Sequence, residues 1–320
     1  MYKTAICDSE TPPLAEAREP AKEHETCECS ANLGGTVPAS DEHPRGARDG
    51  EFELVTLRNG TRAVRHLGHG EVMHPSVGPW QEACALYVEQ SRLAEKLQVE
   101  GPPLQVWDVG LGAGTNAVAA LTCARELGAR QRRELTVVSF EIDLSPLRLA
   151  LADAQGFPFL EPFAAAGSAL LKGDRWSEGR SHWELHLGDA ASLWRGSWQP
   201  ADLIFFDPFS PASNPALWTP ATFAGLRAQA RSDGDGCTLF TYSAATPTRV
   251  SLLLGGFYVG TGVATGMKKE TTVASTQRER LAQPLDARWL ARWERSAAQA
   301  PHGLALTDEI KAAVRGHAQF

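Results

Sequence analysis

Asp207 closes an apolar run, Leu203-Ile204-Phe205-Phe206, and opens a proline-broken loop, Pro208-Phe209-Ser210-Pro211, with Asn214-Pro215 just beyond. A buried parallel strand that delivers one acid to the carboxyl edge of a sheet has this form, and ligands bind at that edge in open α/β folds. A carboxylate there can accept the N–H of a substrate amine, orient its lone pair and help it lose a proton; it can also simply cap the next helix. Upstream, Gly110-Leu111-Gly112-Ala113-Gly114 follows a second apolar run, Leu104 to Val109. Glycines let the backbone turn tightly and let a ligand approach closely. The dinucleotide pattern G-x-G-x-x-G needs glycine where Thr115 stands. Glu141 ends a third run, where an acid can accept two hydrogen bonds from ribose hydroxyls. Asp189 ends a fourth and could face an adenine amino group. Either acid alone is also a common helix cap or solvated loop residue.

The elements that must hold these residues follow in order. Phe52 to Leu57 alternates and Arg58-Asn59-Gly60-Thr61 supplies a turn, so 52–67 forms a small antiparallel hairpin. A loop through His69, His74 and Pro79 leads to a helix over 81–97, with Ala83, Leu86, Tyr87, Leu93 and Leu97 near helical spacing. Glu82 opens that helix and lines the pocket or compensates charge at its start. Strands are expected at 104–109, 135–140, 183–187, 202–206 and 237–242, with two closing strands at 256–259 and 271–274. Helices are expected at 117–127, from Ser145 (N-cap) and Pro146 (N1), at 220–231 and at 247–254. Residues 157–182 form an insertion, helical in part. The alternation predicts an α/β, Rossmann-like, doubly wound and mostly parallel seven-stranded sheet. The domain spans 81–280, preceded by the hairpin and loop of 51–80 and followed by a helical tail over 281–320 that carries Trp289, Trp293 and Ile310.

Composition narrows the class. Apolar residues make up 43% of the 320, as in ordinary globular proteins. No apolar run approaches the roughly 18 residues of a membrane span, and no secretory leader pattern opens the chain. The first 50 residues hold ten acids and five bases, the remainder 28 acids and 26 bases, so most of the net charge of −7 sits in a Glu-, Pro- and Ser-rich leader without periodicity. That leader is expected to be disordered. The body is nearly neutral and gives no global basic face for nucleic acid. Six cysteines include a lone Cys27-x-Cys29 pair, a poor zinc site, and Cys84, Cys123 and Cys237 in apolar segments. Reduced cysteines, no metal site and a cytoplasmic setting follow.

The glycine loop resembles the S-adenosylmethionine loop of class I methyltransferases, with Gly110, Gly112, Gly114, Asn116, Glu141 and Asp189 as its cofactor residues. The segment from Phe206 through Asp207-Pro208-Phe209-Ser210-Pro211-Ala212-Ser213-Asn214-Pro215-Ala216-Leu217 to Trp218 is more specific. It resembles the signature of the methyltransferase domain of the bifunctional tRNA 5-methylaminomethyl-2-thiouridine biosynthesis family, MnmC, with Pro208 placing it nearer the stand-alone branch. Thr241-Tyr242-Ser243-Ala244, Gly255-Gly256-Phe257, Gly266-Met267-Lys268-Lys269-Glu270 and Met73-His74-Pro75 extend the likeness over about 52–280. The resemblance implies a class I fold, S-adenosylmethionine as cofactor, and methylation of the aminomethyl group on a tRNA wobble uridine. It makes Asp207 catalytic and puts Glu82, Pro208, Phe209, Asn214, Tyr242, Lys268 and Lys269 on the substrate side, with tRNA as a transient partner. The FAD-binding oxidoreductase domain of the bifunctional proteins has no counterpart in the sequence. A small-molecule amine methyltransferase or an aminopropyltransferase on the same fold remains open, as does a non-catalytic RNA- or cofactor-binding protein.

Overall fold

The computed structural model describes residues 48–73, 78–173, 175–194, 196, 198–265 and 269–320; the leader up to residue 47, Cys7, Cys27, Cys29, His74 and Lys268 lie outside them. The described residues begin with a small antiparallel sheet, β1 (Arg48–Asp49), β2 (Phe52–Thr56) and β3 (Arg62–His66). The expected hairpin gains a third strand because Gly50 adopts a left-handed φ of 57° and reverses the chain.

The single helix expected over 81–97 is broken into α1 (Pro79–Ala83), a π-helical turn (Cys84–Glu89) and α2 (Leu93–Leu97), with Arg92 left-handed at φ 56° between them. The interval from Tyr87 to Leu93 does not fit a 3.6-residue period. The wide turn and the left-handed residue re-phase the chain, so that Leu86, Tyr87, Leu93 and Leu97 are all fully buried.

The main sheet then builds up: β4 (Leu104–Val109), α3 (Thr115–Leu127), β5 (Leu135–Glu141) and α4 (Ser145–Ala152). Ser145 falls one residue inside α4, where it makes no cap; its amide instead bonds Asp143 Oδ1 at 2.7 Å. The insertion of 157–182 contains a 3₁₀ segment, α5 (Ala164–Leu171) and an added strand, β6 (Trp176–Glu178). Gly179-Arg180 turns β6 antiparallel onto β7 (Ser181–Leu187), so the sheet has eight strands, the seven expected and one at the edge. There follow α6 (Ala190–Leu193), β8 (Leu203–Phe206), α7 (Pro220–Gln229), β9 (Thr238–Thr241), α8 (Thr246–Leu254), β10 (Tyr258–Gly262), β11 (Thr271–Ser275), α9 (Ala287–Trp293) and α10 (Asp308–Arg315).

The strand order is β10-β11-β9-β8-β4-β5-β7-β6, with β9, β8, β4, β5 and β7 parallel. Successive residues point to opposite faces. Val106, Leu203 and Phe205 enter one core layer, whereas Trp107, Ile204 and Phe206 enter the other, which Trp289, Trp293 and Val314 of the tail complete. Both faces are covered, which accounts for the near-continuous apolar runs. No helix among the described residues is long and apolar enough to cross a membrane.

The edge at β10 is covered by the backbone of residues 283–285, which bonds Val259 O and Thr261 N, and by one side chain. Gln319 is buried; its Oε1 accepts from Val259 N at 2.6 Å, and its Nε2 donates to Val259 O at 2.6 Å and Leu285 O at 2.8 Å. Removing it leaves buried backbone groups unpaired, at about 1–3 kcal/mol. Gln319→Ala is expected to lower the thermal midpoint by several degrees, measured by circular dichroism, without altering ligand binding at the opposite side of the sheet.

Candidate active site

Register places the chemistry. Val109 at the end of β4 pairs with Phe140 on one side and Phe206 on the other, and Phe206 pairs with Thr241. The next residues, Gly110, Glu141, Asp207 and Tyr242, therefore leave four adjacent strands at one level. The order reverses between β4 and β8, and the crevice at such a switch point is where ligands bind. A cavity of about 610 Å³ opens there, within the range of small-molecule sites, and all four residues line it.

The glycine loop turns through three left-handed residues, Gly110 (φ 89°), Gly112 (φ 52°) and Gly114 (φ 81°). Gly110 is the most constrained: a Cβ there would lie 2.8 Å from the carbonyl oxygen of Asp207 and 2.9 Å from Pro208 Cα. Gly112 donates its amide to Glu141 Oε2 at 2.9 Å, and Ile142 donates to Oε1 at 2.7 Å. Burial raises the Glu141 carboxyl above its usual range, while these amides pull it back. At the head of α3, Thr115 Oγ1 and Asn116 Oδ1 are buried beside the cavity with no hydrogen-bond partner among the described residues.

Asp207 is half-buried, and its Oδ2 accepts from Asn116 Nδ2 at 2.8 Å. Its loop has lost two backbone donors to Pro208 and Pro211, so side chains tie it down. Tyr242 Oη donates to Pro208 O at 3.1 Å, and Trp218 Nε1 donates to Phe209 O at 2.9 Å. Phe209 stacks toward Phe52, and His66 meets it edge-on with ring centroids 5.7 Å apart. Burial first, then the charge of Asp207, pushes the Tyr242 and Tyr87 hydroxyls far up, so both remain donors.

The expected site residues separate into three groups. Gly110, Gly112, Asn116, Glu141, Asp189, Glu82, Asp207, Pro208, Phe209, Asn214 and Tyr242 line the cavity; Glu82 does so from a buried position in α1. Asn116, expected on the cofactor side, directs its amide nitrogen to Asp207. Asp189 lines the cavity yet also caps α6, accepting from Ser192 N at 3.1 Å and Ser192 Oγ at 2.7 Å. Gly114, behind the loop, is packed against Leu147 and Trp183. Trp218, the end of the signature segment, is fully buried and does not line the cavity. Lys269 is exposed and does not line the cavity, and Lys268 lies outside the described residues. Glu71 and His66 line the cavity without having been singled out. Glu71 sits in a polar loop without periodicity, and only the two serines of the facing loop hint at a need for an acceptor. Among the described residues no cluster of three or more His, Cys, Asp or Glu is arranged to hold a metal ion.

Behind the glycine loop, Asp108 is fully buried; Ser139 Oγ donates to its Oδ2 at 2.8 Å, and Trp183 Nε1 donates to Ser139 Oγ at 2.9 Å. Burial raises the Asp108 carboxyl from 3.8 to about 8. The folded chain thus holds a proton that the unfolded chain releases. The stability this contributes is complete below pH 3.8 and is lost as pH rises toward about 8. Asp108→Asn, which cannot ionise, is expected to melt progressively higher than the parent across that interval, as thermal scans at stepped pH will show. Gly110→Ala is expected to reduce turnover at least ~100-fold by displacing the Asp207 loop. Gly60→Ala is its control: φ there is 82° with open space around it, so it adds backbone strain alone and leaves turnover unchanged in the same assay.

Residues 172–277 match the family model described as S-adenosyl-L-methionine-dependent methyltransferase. The tRNA 5-methylaminomethyl-2-thiouridine biosynthesis bifunctional protein MnmC of Methylibium petroleiphilum is 30% identical over 230 residues, 69% of this chain and 34% of that protein. MnmC of Ralstonia nicotianae is 35% identical over 175 residues, 52% of this chain and 26% of that protein. The crystal structure of MnmC2 from Aquifex aeolicus superposes with a TM-score of 0.64 at 26% identity, covering 86% of this chain and 87% of that one. The chain spans about a third of the length of the curated relatives it matches. It carries an S-adenosyl-L-methionine-dependent methyltransferase domain and is related to the methyltransferase part of MnmC and to MnmC2.

Proposed function

We propose that this protein methylates the primary amine of a 5-aminomethyl group on a wobble uridine of tRNA, giving the 5-methylaminomethyl nucleoside. The observation that carries the reading is the placement of Asp207. Its carboxylate stands on the strand next to the glycine loop, in the same cavity as Glu141, with its orientation fixed by Asn116.

The residues fit S-adenosylmethionine. Positive-φ glycines at 110 and 112 keep the cavity clear of side chains, Glu141 is placed for ribose hydroxyls, and the unpartnered Thr115 Oγ1 and Asn116 Oδ1 offer buried polar contacts. Gly112, Thr115, Asn116, Glu141 and Asp189 would hold it. When bound it supplies an electrophilic methyl group on a sulfonium. The chain's own part is to bind an amine, strip it of water and present its lone pair in line. The Asp207 carboxylate accepts an amine N–H, which aims the lone pair away from the carboxylate and lets the proton depart as the N–C bond forms. Tyr87 and Tyr242 stay protonated and do not compete as bases. Tyr242 instead fixes the Pro208 carbonyl, and with it the carboxylate next door.

The cavity's electrostatics suit an ammonium ion. Seven carboxylates line it, and no Lys or Arg does so among the described residues. A tRNA would enter by its amine-bearing base while its phosphates stayed outside, near exposed Lys269, which adjoins the β11 strand paired to β9 at the same end of the sheet. Such a substrate implies a cytoplasmic setting and a transient tRNA partner.

The acidic lining also favours a second reading, transfer to a free polycationic amine. One experiment divides the two: labelled S-adenosylmethionine is supplied with tRNA carrying aminomethyluridine or with a free polyamine, and the products are resolved. Methylaminomethyluridine is the expected product. Turnover of the polyamine alone would overturn the tRNA reading. Asp207→Ala is expected to lower the transfer rate by roughly 100-fold or more, a factor at the lower end of what a positioned acid–base group contributes, with cofactor affinity close to the parent's by calorimetry.

A further inference from the structure

Glu71 belongs to the loop after β3, outside the strand ends that carry the rest of the site. Its carboxylate nevertheless reaches the loop that follows Asp207. Oε1 accepts from Ser210 N at 2.9 Å, and Oε2 accepts from Ser210 Oγ at 2.9 Å and from Ser213 Oγ. Ser210 and Ser213 follow Glu71 by 139 and 142 residues, so the contact is wholly tertiary. We propose that Glu71 is a positioning residue for Asp207, a latch by which the N-terminal segment sets the geometry of methyl transfer. The proposal rests on the methyl-transfer reading above.

The need for such a latch follows from the loop's composition. Pro208 and Pro211 have no N–H, so the loop is short of backbone donors. The Asp207 amide bonds Val109 O at 2.9 Å and the amides of Ser213 and Asn214 close a turn on Ser210 O, while the Ser210 amide goes to Glu71. The other side-chain anchors named above act on carbonyls: Tyr242 holds Pro208 O and Trp218 holds Phe209 O. Glu71 is a side chain that takes a loop amide, that of Ser210, and it binds both serine hydroxyls besides. From beneath, Gly110 sits against the Asp207 carbonyl and blocks movement toward β4. Tyr242 follows β9 and Trp218 lies just downstream of the loop itself. Glu71 comes from the segment after β3, whose His66 ring abuts Phe209. The loop is therefore clamped between the doubly wound sheet and the small N-terminal sheet, and Glu71 is the polar half of that clamp. The acid must accept three donors at once, which suits a carboxylate with four lone-pair positions. A glutamine keeps one acceptor oxygen for the Ser210 amide, and its NH₂ can donate to serine oxygens. An alanine keeps nothing.

The test compares Glu71→Ala and Glu71→Gln with the parent in three measurements. Single-turnover methyl transfer to aminomethyl tRNA is expected to slow on the order of 100-fold in Glu71→Ala, the effect of a displacement near 1 Å, and to recover to within about tenfold in Glu71→Gln. Cofactor affinity by calorimetry is expected to stay within about threefold of the parent's in both, since no Glu71 contact involves the glycine loop. Amide hydrogen exchange over 207–214 is expected to accelerate in Glu71→Ala and not in Glu71→Gln. This last readout needs no substrate, so it reports on the latch even where the parent enzyme fails to methylate tRNA, an outcome that would sink the functional reading alone. The latch is overturned if Glu71→Ala transfers methyl at the parent rate, if exchange over 207–214 is unchanged, or if Glu71→Gln loses as much as Glu71→Ala.

Discussion

The close approach of Gly110 to the Asp207–Pro208 backbone governs the site. A methyl group at residue 110 would stand 2.8 Å from the Asp207 carbonyl oxygen, well inside van der Waals contact. The glycine loop and the acidic loop are consequently one packed object. They leave neighbouring strands at one level because β4 and β8 pair Val109 with Phe206. Those are the strands at which the strand order reverses, so each chain turns away from the other just past this contact and the crevice opens between them. The carboxylate proposed to face the amine and the turn proposed to face the cofactor thus have a fixed separation, set by backbone packing rather than by flexible side chains.

Four acids near these strand ends have different surroundings, and their chemistry differs accordingly. Asp108 is sealed behind the loop with a serine hydroxyl and keeps its proton toward pH 8. Glu141 is half-buried at the rim and gathers the amides of Gly112, Ile142 and Asp143, which oppose the desolvation that raises its carboxyl. Asp189 is exposed and spends one oxygen on a helix cap. Asp207 is half-buried, steered by the Asn116 amide, and its charge is felt by both nearby tyrosines. Of the four, Asp207 combines a fixed orientation with a position over the crevice between β4 and β8, the combination that directing a lone pair demands.

Much of this was legible in the sequence because it depends on local signals. Two-sided apolar runs marked β4 and β8, and the acid or glycine that ended each run marked the carboxyl edge. Where the sequence was silent, the determinant was non-local or out of phase. The π-helical turn at Cys84–Glu89 looks like ordinary helix until burial of both Tyr87 and Leu93 is required. β6 exists because Gly179 permits a hairpin inside a stretch whose composition suggested helix. Glu71 carries no pattern at all, since its partners lie more than a hundred residues away and become neighbours only when the small sheet meets the large one. Asp189 is the reverse case. Its position promised a ligand, and a residue at the start of a four-residue helix satisfied the backbone as well.

Residues 206–218 lie within the stretch that matches the methyltransferase family model, and the geometry shows what they have in common. Nearly every residue there has a packing duty in addition to any chemical one. Pro208 is buried and offers its carbonyl to Tyr242; Phe209 offers its carbonyl to Trp218 and its ring to Phe52; Ser210 and Ser213 bind Glu71; Trp218 packs edge-on to Phe206 at 5.1 Å. Such a block can be kept only as a unit, because changing one member loosens the carboxylate that all of them hold. The block is therefore a rigid support for Asp207, on which the proposed transfer to an amine relies. The size of the molecule that bears the amine is decided elsewhere, at the rim, where residues such as Lys269 are exposed. That division is why the reaction type follows from the interior of the site while the tRNA substrate has to be tested at its mouth.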